Sequence, residues 1–185
     1  MPIPLGVLAV AGAGAAGGGA AFDLLETTIL GTATESVTFS NLNTYSSYKH
    51  LQIRAVTRNT GGNDVGVRFN GDTTNSYASH ALAGQNGNVS SFDSSNSPAM
   101  YLVTSPGGSE SMNYGAQIIE ILDFNSTTKN TTIRTLMGYA SSNEQRVRLS
   151  SGLYNKTDAI TSVSVVSWGG NTFSSGSRFS LYGIR

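Results

Sequence analysis

From Leu24 onward, apolar and polar side chains alternate in short runs, the two-residue period of a strand with one face buried. The clearest run is "KHLQIRAVTR", in which Leu51, Ile53 and Ala55 alternate with Gln52, Arg54 and Val56. "DVGVRF" likewise sets Val65, Val67 and Phe69 on one face. "DLLETTIL", "ESVTFS", "AMYLVT", "AQIIEIL", "TTIRTLMGYA", "QRVRLSSGLY", "AITSVSVVSW" and "SRFSLYGIR" complete the series. Between them lie "TGGND", "FNGD", "SPGGS", "DFNSTTKN" and "WGGN", clusters that favour turns. No window carries the 3.6-residue period of a long amphipathic helix. Roughly eight to ten short strands at regular spacing predict an all-β fold, an antiparallel β-sandwich of jelly-roll-like architecture over residues 23–185. No internal repeat points to a propeller or a β-helix.

The first 22 residues break this pattern. "MPIPLGVLAVAGAGAAGGGAAF" is apolar and dominated by Gly and Ala. It lacks the basic start that a secretory signal needs. Its prolines, glycines and missing anchor residues argue against a membrane-spanning helix. Two readings stay open: an unstructured leader, or an extended arm that threads into a cleft of a partner. A merely flexible leader is more often polar, so the arm is preferred. Ile3, Leu5, Val7, Leu8 and Val10 would anchor it. Fully extended, Met1 to Ala21 reaches on the order of 70 Å.

Composition narrows the function classes. Only 12% of the 185 residues are charged, and eleven basic residues balance eleven acidic ones. Such a chain has no global field to draw it to nucleic acid or to an anionic membrane. Its surface, rich in Ser, Thr and Asn, suits a particle or an extracellular setting. With no cysteine, a disulfide framework, a thiolate metal site and a cysteine nucleophile are all excluded.

"RFNGDTTNSY", residues 68–77, concentrates the candidate chemistry. Asn70-Gly71 is the preferred pair for a tight hairpin turn, and that reading comes first. A calcium loop would need more carboxylates than Asp64 and Asp72. A sugar site remains open, with Asp72, Asn75 and Tyr77 combining hydrogen bonds and a stacking face. The lone Trp168, beside a Gly-Gly-Asn turn, packs in a core or interface, or else serves as a receptor contact.

No catalytic pattern emerges. His50 opens a strand and His80 follows "NSYAS" in a polar loop, neither near a nucleophile elbow or a second metal ligand. The acids are scattered, and no phosphate-binding or dinucleotide motif is present. No enzyme activity, catalytic residue, metal or cofactor is therefore expected. In "EQRVRLS", Arg146 and Arg148 share one strand face, opposite Val147 and Leu149, which reads as a solvated face or an intersubunit ion pair. In the terminal "SRFSLYGIR", both faces carry large apolar side chains. Phe179 and Leu181 are expected in the core, and Tyr182 and Ile184 at an oligomer interface.

"LLETTILG", "VRFNGDTTNSY", "GLYNKTDAITSVSV" and "FSLYGIR" together resemble a set of small tailed-bacteriophage virion structural proteins, familiar from phages of aquatic and cyanobacterial hosts. The resemblance covers Phe22 to Arg185, and its most specific pieces are the "RFNGD" turn and the closing "LYGI". It implies localisation to the virion and contacts with other virion proteins of tail, portal-proximal region or capsid. It assigns no site residues. Composition and arm together favour a tail fibre, spike or other appendage subunit, homo-oligomeric and by preference trimeric, with a host surface glycan as a candidate ligand. A capsid decoration protein is the alternative, and a free carbohydrate-binding module a further one.

Overall fold

The computed structural model describes residues 21–61, 64–107, 113–142 and 144–185. The anchoring positions Ile3, Leu5, Val7, Leu8 and Val10 lie outside the described residues. Among those described, twelve strands form two antiparallel sheets. In one, β1 (Phe22–Ile29) pairs with β12 (Arg178–Ile184), then β3 (His50–Thr57) with β8 (Gly115–Leu122). The same sheet continues through β9 (Thr131–Ala140), β10 (Gln145–Tyr154), β5 (Tyr77–Gln85) and β6 (Asn88–Ser97). The other runs β2 (Ser36–Phe39), β11 (Val163–Ser167), β4 (Asp64–Phe69) and β7 (Met100–Thr104).

The pairings β1·β12, β2·β11, β3·β8 and β4·β7 are those of a long antiparallel ribbon rolled on itself, its successive strands falling in alternate sheets. This is the jelly-roll sandwich expected from the alternation. Two hairpins, β5–β6 and β9–β10, are inserted into the roll and widen one sheet to eight strands.

The inward residues of both sheets make one core. Leu51, Ile53, Ile119, Ile121, Ile133, Phe179 and Leu181 from the larger sheet meet Phe39, Val65, Val67, Phe69, Val163 and Val165 from the smaller, all fully buried. Each such side chain stabilises the fold by roughly 1.5–3 kcal/mol relative to exposure. Phe173 and Phe179 meet edge to face at 5.0 Å. Phe179 and Leu181 thus hold the core positions the alternation assigned to them. Tyr182 and Ile184 lie on the outer face, half-buried, and the Arg54 guanidinium covers the Tyr182 ring at 4.5 Å. Part of the cover expected from a neighbouring subunit is therefore supplied within the chain.

Three sequence expectations need correction. Asn70-Gly71 does turn tightly, with φ of 52° and 68° and Asp72 N donating to Phe69 O at 2.8 Å. It does not close a hairpin: β4 lies in the small sheet and β5 in the large one, so the turn carries the chain between layers. The Asn-Gly hairpin is instead Asn86-Gly87, joining β5 to β6 with Gln85 opposite Asn88. These two strands are rich in Ser, Ala, Asn and Gly, which hides their alternation, and His80 lies within β5 and not in a loop. Finally, Arg146 and Arg148 face the gap between the sheets while Val147 and Leu149 face outward, the reverse of a solvated arginine face. Asp64 on the small sheet supplies the reason, as its carboxylate receives Arg148 Nη1 at 3.0 Å.

Candidate functional site

The "RFNGDTTNSY" stretch is a structural corner. Asn70 Oδ1 accepts from Thr161 N at 2.8 Å and Asn70 Nδ2 donates to Ala159 O at 3.0 Å, fastening the turn to the loop before β11. Asp72 Oδ1 accepts from Thr74 N and from the Thr74 hydroxyl, at 2.8 and 2.6 Å. Its other oxygen receives Lys156 Nζ at 2.7 Å and the Tyr154 hydroxyl at 3.2 Å. Burial pushes this carboxyl up, but the bonds from Lys156, Thr74 and Tyr154 outweigh it and hold Asp72 well below the usual carboxylate range.

Tyr77, expected as a stacking face for a ligand, is a correction. It is buried, its ring stacks on Tyr154 at 4.9 Å, and its hydroxyl accepts from Phe69 N at 2.9 Å. Burial pushes its phenol up to about 12. The residue alternates inward at the start of β5, where the chain crosses to the other sheet and an aromatic must fill the corner. Asn75 is exposed on the same loop. Asp72, Asn75 and Tyr77 are close in sequence, yet one is an internal anchor, one a surface residue and one core.

Trp168 falls in a different place and in better company. It follows β11 and is half-buried, with Tyr101 of β7 edge-on at 4.8 Å and the Arg68 guanidinium at 5.3 Å from its ring. Arg68 is held by Pro98 O at 3.0 Å, and Trp168 N donates to Asp64 O. Tyr101 also borders a cleft of about 440 Å³ where the inserted strands overhang the small sheet.

The Asp64–Arg148 pair, Arg146, Phe92, Asp93, Ser94 and Gln85 line most of the rest of that cleft. Arg148 is nearly buried, donates Nη2 to Tyr101 O at 2.8 Å, and lies over the Phe92 ring at 5.4 Å. Burial lowers its pKa and Asp64 opposes that effect. Arg146 pairs with Glu144 at 2.9 Å.

The cleft combines aromatic faces, the Asp64 and Asp93 carboxylates and guanidinium donors, the groups that recognise a polyhydroxylated ligand by stacking and hydrogen bonding. Among the described residues, no group of three or more His, Cys, Asp or Glu could hold a metal ion. His50 accepts from Asp123 N at 2.9 Å and faces the Asp123 carboxylate, which also pairs with Lys129. Glu120 pairs with Arg134 and accepts from Gln52, so Glu120 and Asp123 are held in separate ion pairs.

Sequence reasoning singled out Trp168, named Asp64 and Arg148 in other roles, and missed Tyr101 and Phe92. The one available signal was the arginine pair itself, since the apolar set of that strand, Val147 and Leu149, points the other way. No protein-family model, curated protein or solved structure matches the chain.

Proposed function

We propose that the protein is a structural, non-catalytic subunit of a tailed-bacteriophage virion. It is a tail fibre, spike or other appendage part, tethered to the particle by its N-terminal arm. One observation carries this reading: a jelly roll with little charge follows directly on an apolar Gly/Ala segment, and β1 begins at the open edge of the larger sheet. From an edge strand, a preceding segment can leave the domain without crossing its core. The hydroxyl-rich surface and the charge balance suit a subunit packed among others, and the sequence resemblance points the same way.

The aromatic and arginine-lined cleft by Trp168 and Tyr101 supports a host-glycan contact as the outward role. Deleting residues 1–21 tests the tether. The truncated protein is expected to stay folded and soluble by circular dichroism while failing to enter particles. Full incorporation of the truncated chain overturns the reading. Copy number in a cryo-EM map separates an appendage, present in tens, from capsid cement, present in hundreds, as order-of-magnitude expectations for symmetric assemblies.

A further inference from the structure

The outer face of the eight-stranded sheet is where an antiparallel sandwich normally meets water, yet it carries a continuous apolar band. Register places the band in two adjacent rows. One runs Ile118, Leu136, Leu149 and Leu82 across β8, β9, β10 and β5. The other runs Ala116, Gly138, Val147 and Gly84 across the same strands, extended by Val56 of β3 and Val89 of β6. The large side chains stand proud: Leu136, Leu149 and Leu82 are each about half exposed, and Val89 is 76% exposed.

The first row is a ridge and the second a groove. Hollows lie over Ala116 and Gly138 and again beside Gly84, divided by Val147.

We infer that this face is the seat of a second copy of the chain, packed sheet to sheet about a twofold axis that runs along the rows and between them. Such an axis leaves each strand opposite its own counterpart and exchanges the rows. Ile118 of one copy then enters the hollow over the other's Ala116, Leu136 that over Gly138, and Leu82 that over Gly84, while Leu149 meets Val147. One symmetry operation seats three of these four columns ridge into hollow, sets Leu149 on Val147, and at the β3 side of the band turns Arg54, which continues the first row beside Ile118, onto Val56; such self-complementarity is what an isologous contact requires. The next row out raises no objection, because Arg134 faces Ala140 and Ser151 faces Gln145, so no like charges meet.

The area also fits. Six strands at about 4.8 Å spacing and about 27 Å of strand length present roughly 800 Å², the per-partner share of a standard interface, with the apolar band central and a polar rim around it. The sheets would sit about 10 Å apart. The inference does not depend on the virion reading.

The experiment is light scattering on size-exclusion fractions of the full chain over a concentration series, with two variants. Wild type is expected as a dimer. Leu136→Glu should weaken the dimer at least about a hundredfold by burying a charge only in the pair, with the monomer's thermal melt retained. Gly138→Val separates a fitted contact from general stickiness. Its Cβ meets nothing nearer than Arg146 O at 3.7 Å within the monomer, so the fold accepts it, but it fills the hollow that Leu136 of the partner needs. The dimer should weaken although the face has become more apolar.

A monomeric or trimeric wild type overturns the inference. So does a dimer indifferent to Leu136→Glu, one strengthened by Gly138→Val, or one abolished only by deleting residues 1–21, which would make the arm the contact.

Discussion

The two outer faces of this sandwich obey the same alternation and differ in what it leaves outside. On the small sheet the outward positions are hydroxyls at one edge, Ser36, Thr38 and Ser164, with the Thr38 and Ser164 hydroxyls 2.8 Å apart in solvent, and Arg68 against Trp168 and Tyr101 at the other, with the half-buried Val166 between them. On the large sheet they are Ile118, Leu136, Val147, Leu149 and Leu82. Both faces cover the same core, so burial within the chain cannot explain the contrast. A face of hydroxyls is stable in water as it is, whereas a contiguous apolar band of several hundred Å² is the face on which we place the second copy. The contrast shows that the period of a strand separates two sides without always naming the inner one, since in β10 the apolar Val147 and Leu149 are outside.

Substitutions can break or sharpen that contrast. The largest effect is expected beneath both faces. Phe179→Ala opens a cavity in the shared core and should cost about 3–5 kcal/mol in denaturant unfolding, whereas Ile184→Asp on the outer side of the same strand should leave the fold intact. Equal losses from the two would show that the outer side of β12 is core after all.

Next comes the cleft where the inserted strands overhang the small sheet. Arg148→Met keeps the length of the side chain and removes the partner of Asp64. Asp64 is nearly half exposed, so a loss of about 1–2 kcal/mol is expected, below that of a fully buried pair, together with loss of any glycan bound beside Tyr101 and Phe92. Unchanged glycan-array binding would remove the cleft from the site.

A pH effect follows from Asp72. Its folded pKa is depressed below the unfolded value near 3.9, so its contribution is fully present above that value and is lost as pH falls through the lower, folded pKa. Thermal melts of wild type should drop between about pH 5 and pH 2, and Asp72→Asn should flatten that slope. A variant with the same slope would assign acid sensitivity elsewhere.

The smallest effect is expected on the hydroxyl face. Thr38→Ala should change stability by no more than about 0.5 kcal/mol and leave self-association untouched, the opposite pattern to Leu136→Glu. An assembly defect there would make the small sheet a contact too.

Much of this molecule is determined by its sequence alone. Runs such as Leu51–Ile53–Ala55 and Val65–Val67–Phe69 alternate with period two, and a strand of that period can bury only one set, so the sandwich and the inward set follow directly. The jelly-roll class follows from the number and spacing of such runs. Two strands, β5 and β6, stayed hidden because serine and glycine carry little hydrophobic contrast. The same Asn-Gly dipeptide illustrates the limit. At residues 70–71 and 86–87 the backbone turns alike, with positive φ at both positions, yet only the second closes a hairpin.

A turn fixes the local direction of the chain. Which sheet receives the next strand is decided by distant partners, here Tyr77 stacking on Tyr154 and β5 pairing with β10. The cleft and the outer apolar band belong to the same class of property. Asp64 and Arg148 are 84 residues apart, and the band is assembled from six strands. No local pattern encodes either one, because the contacts exist only once β-pairing has set the register between segments remote in the chain.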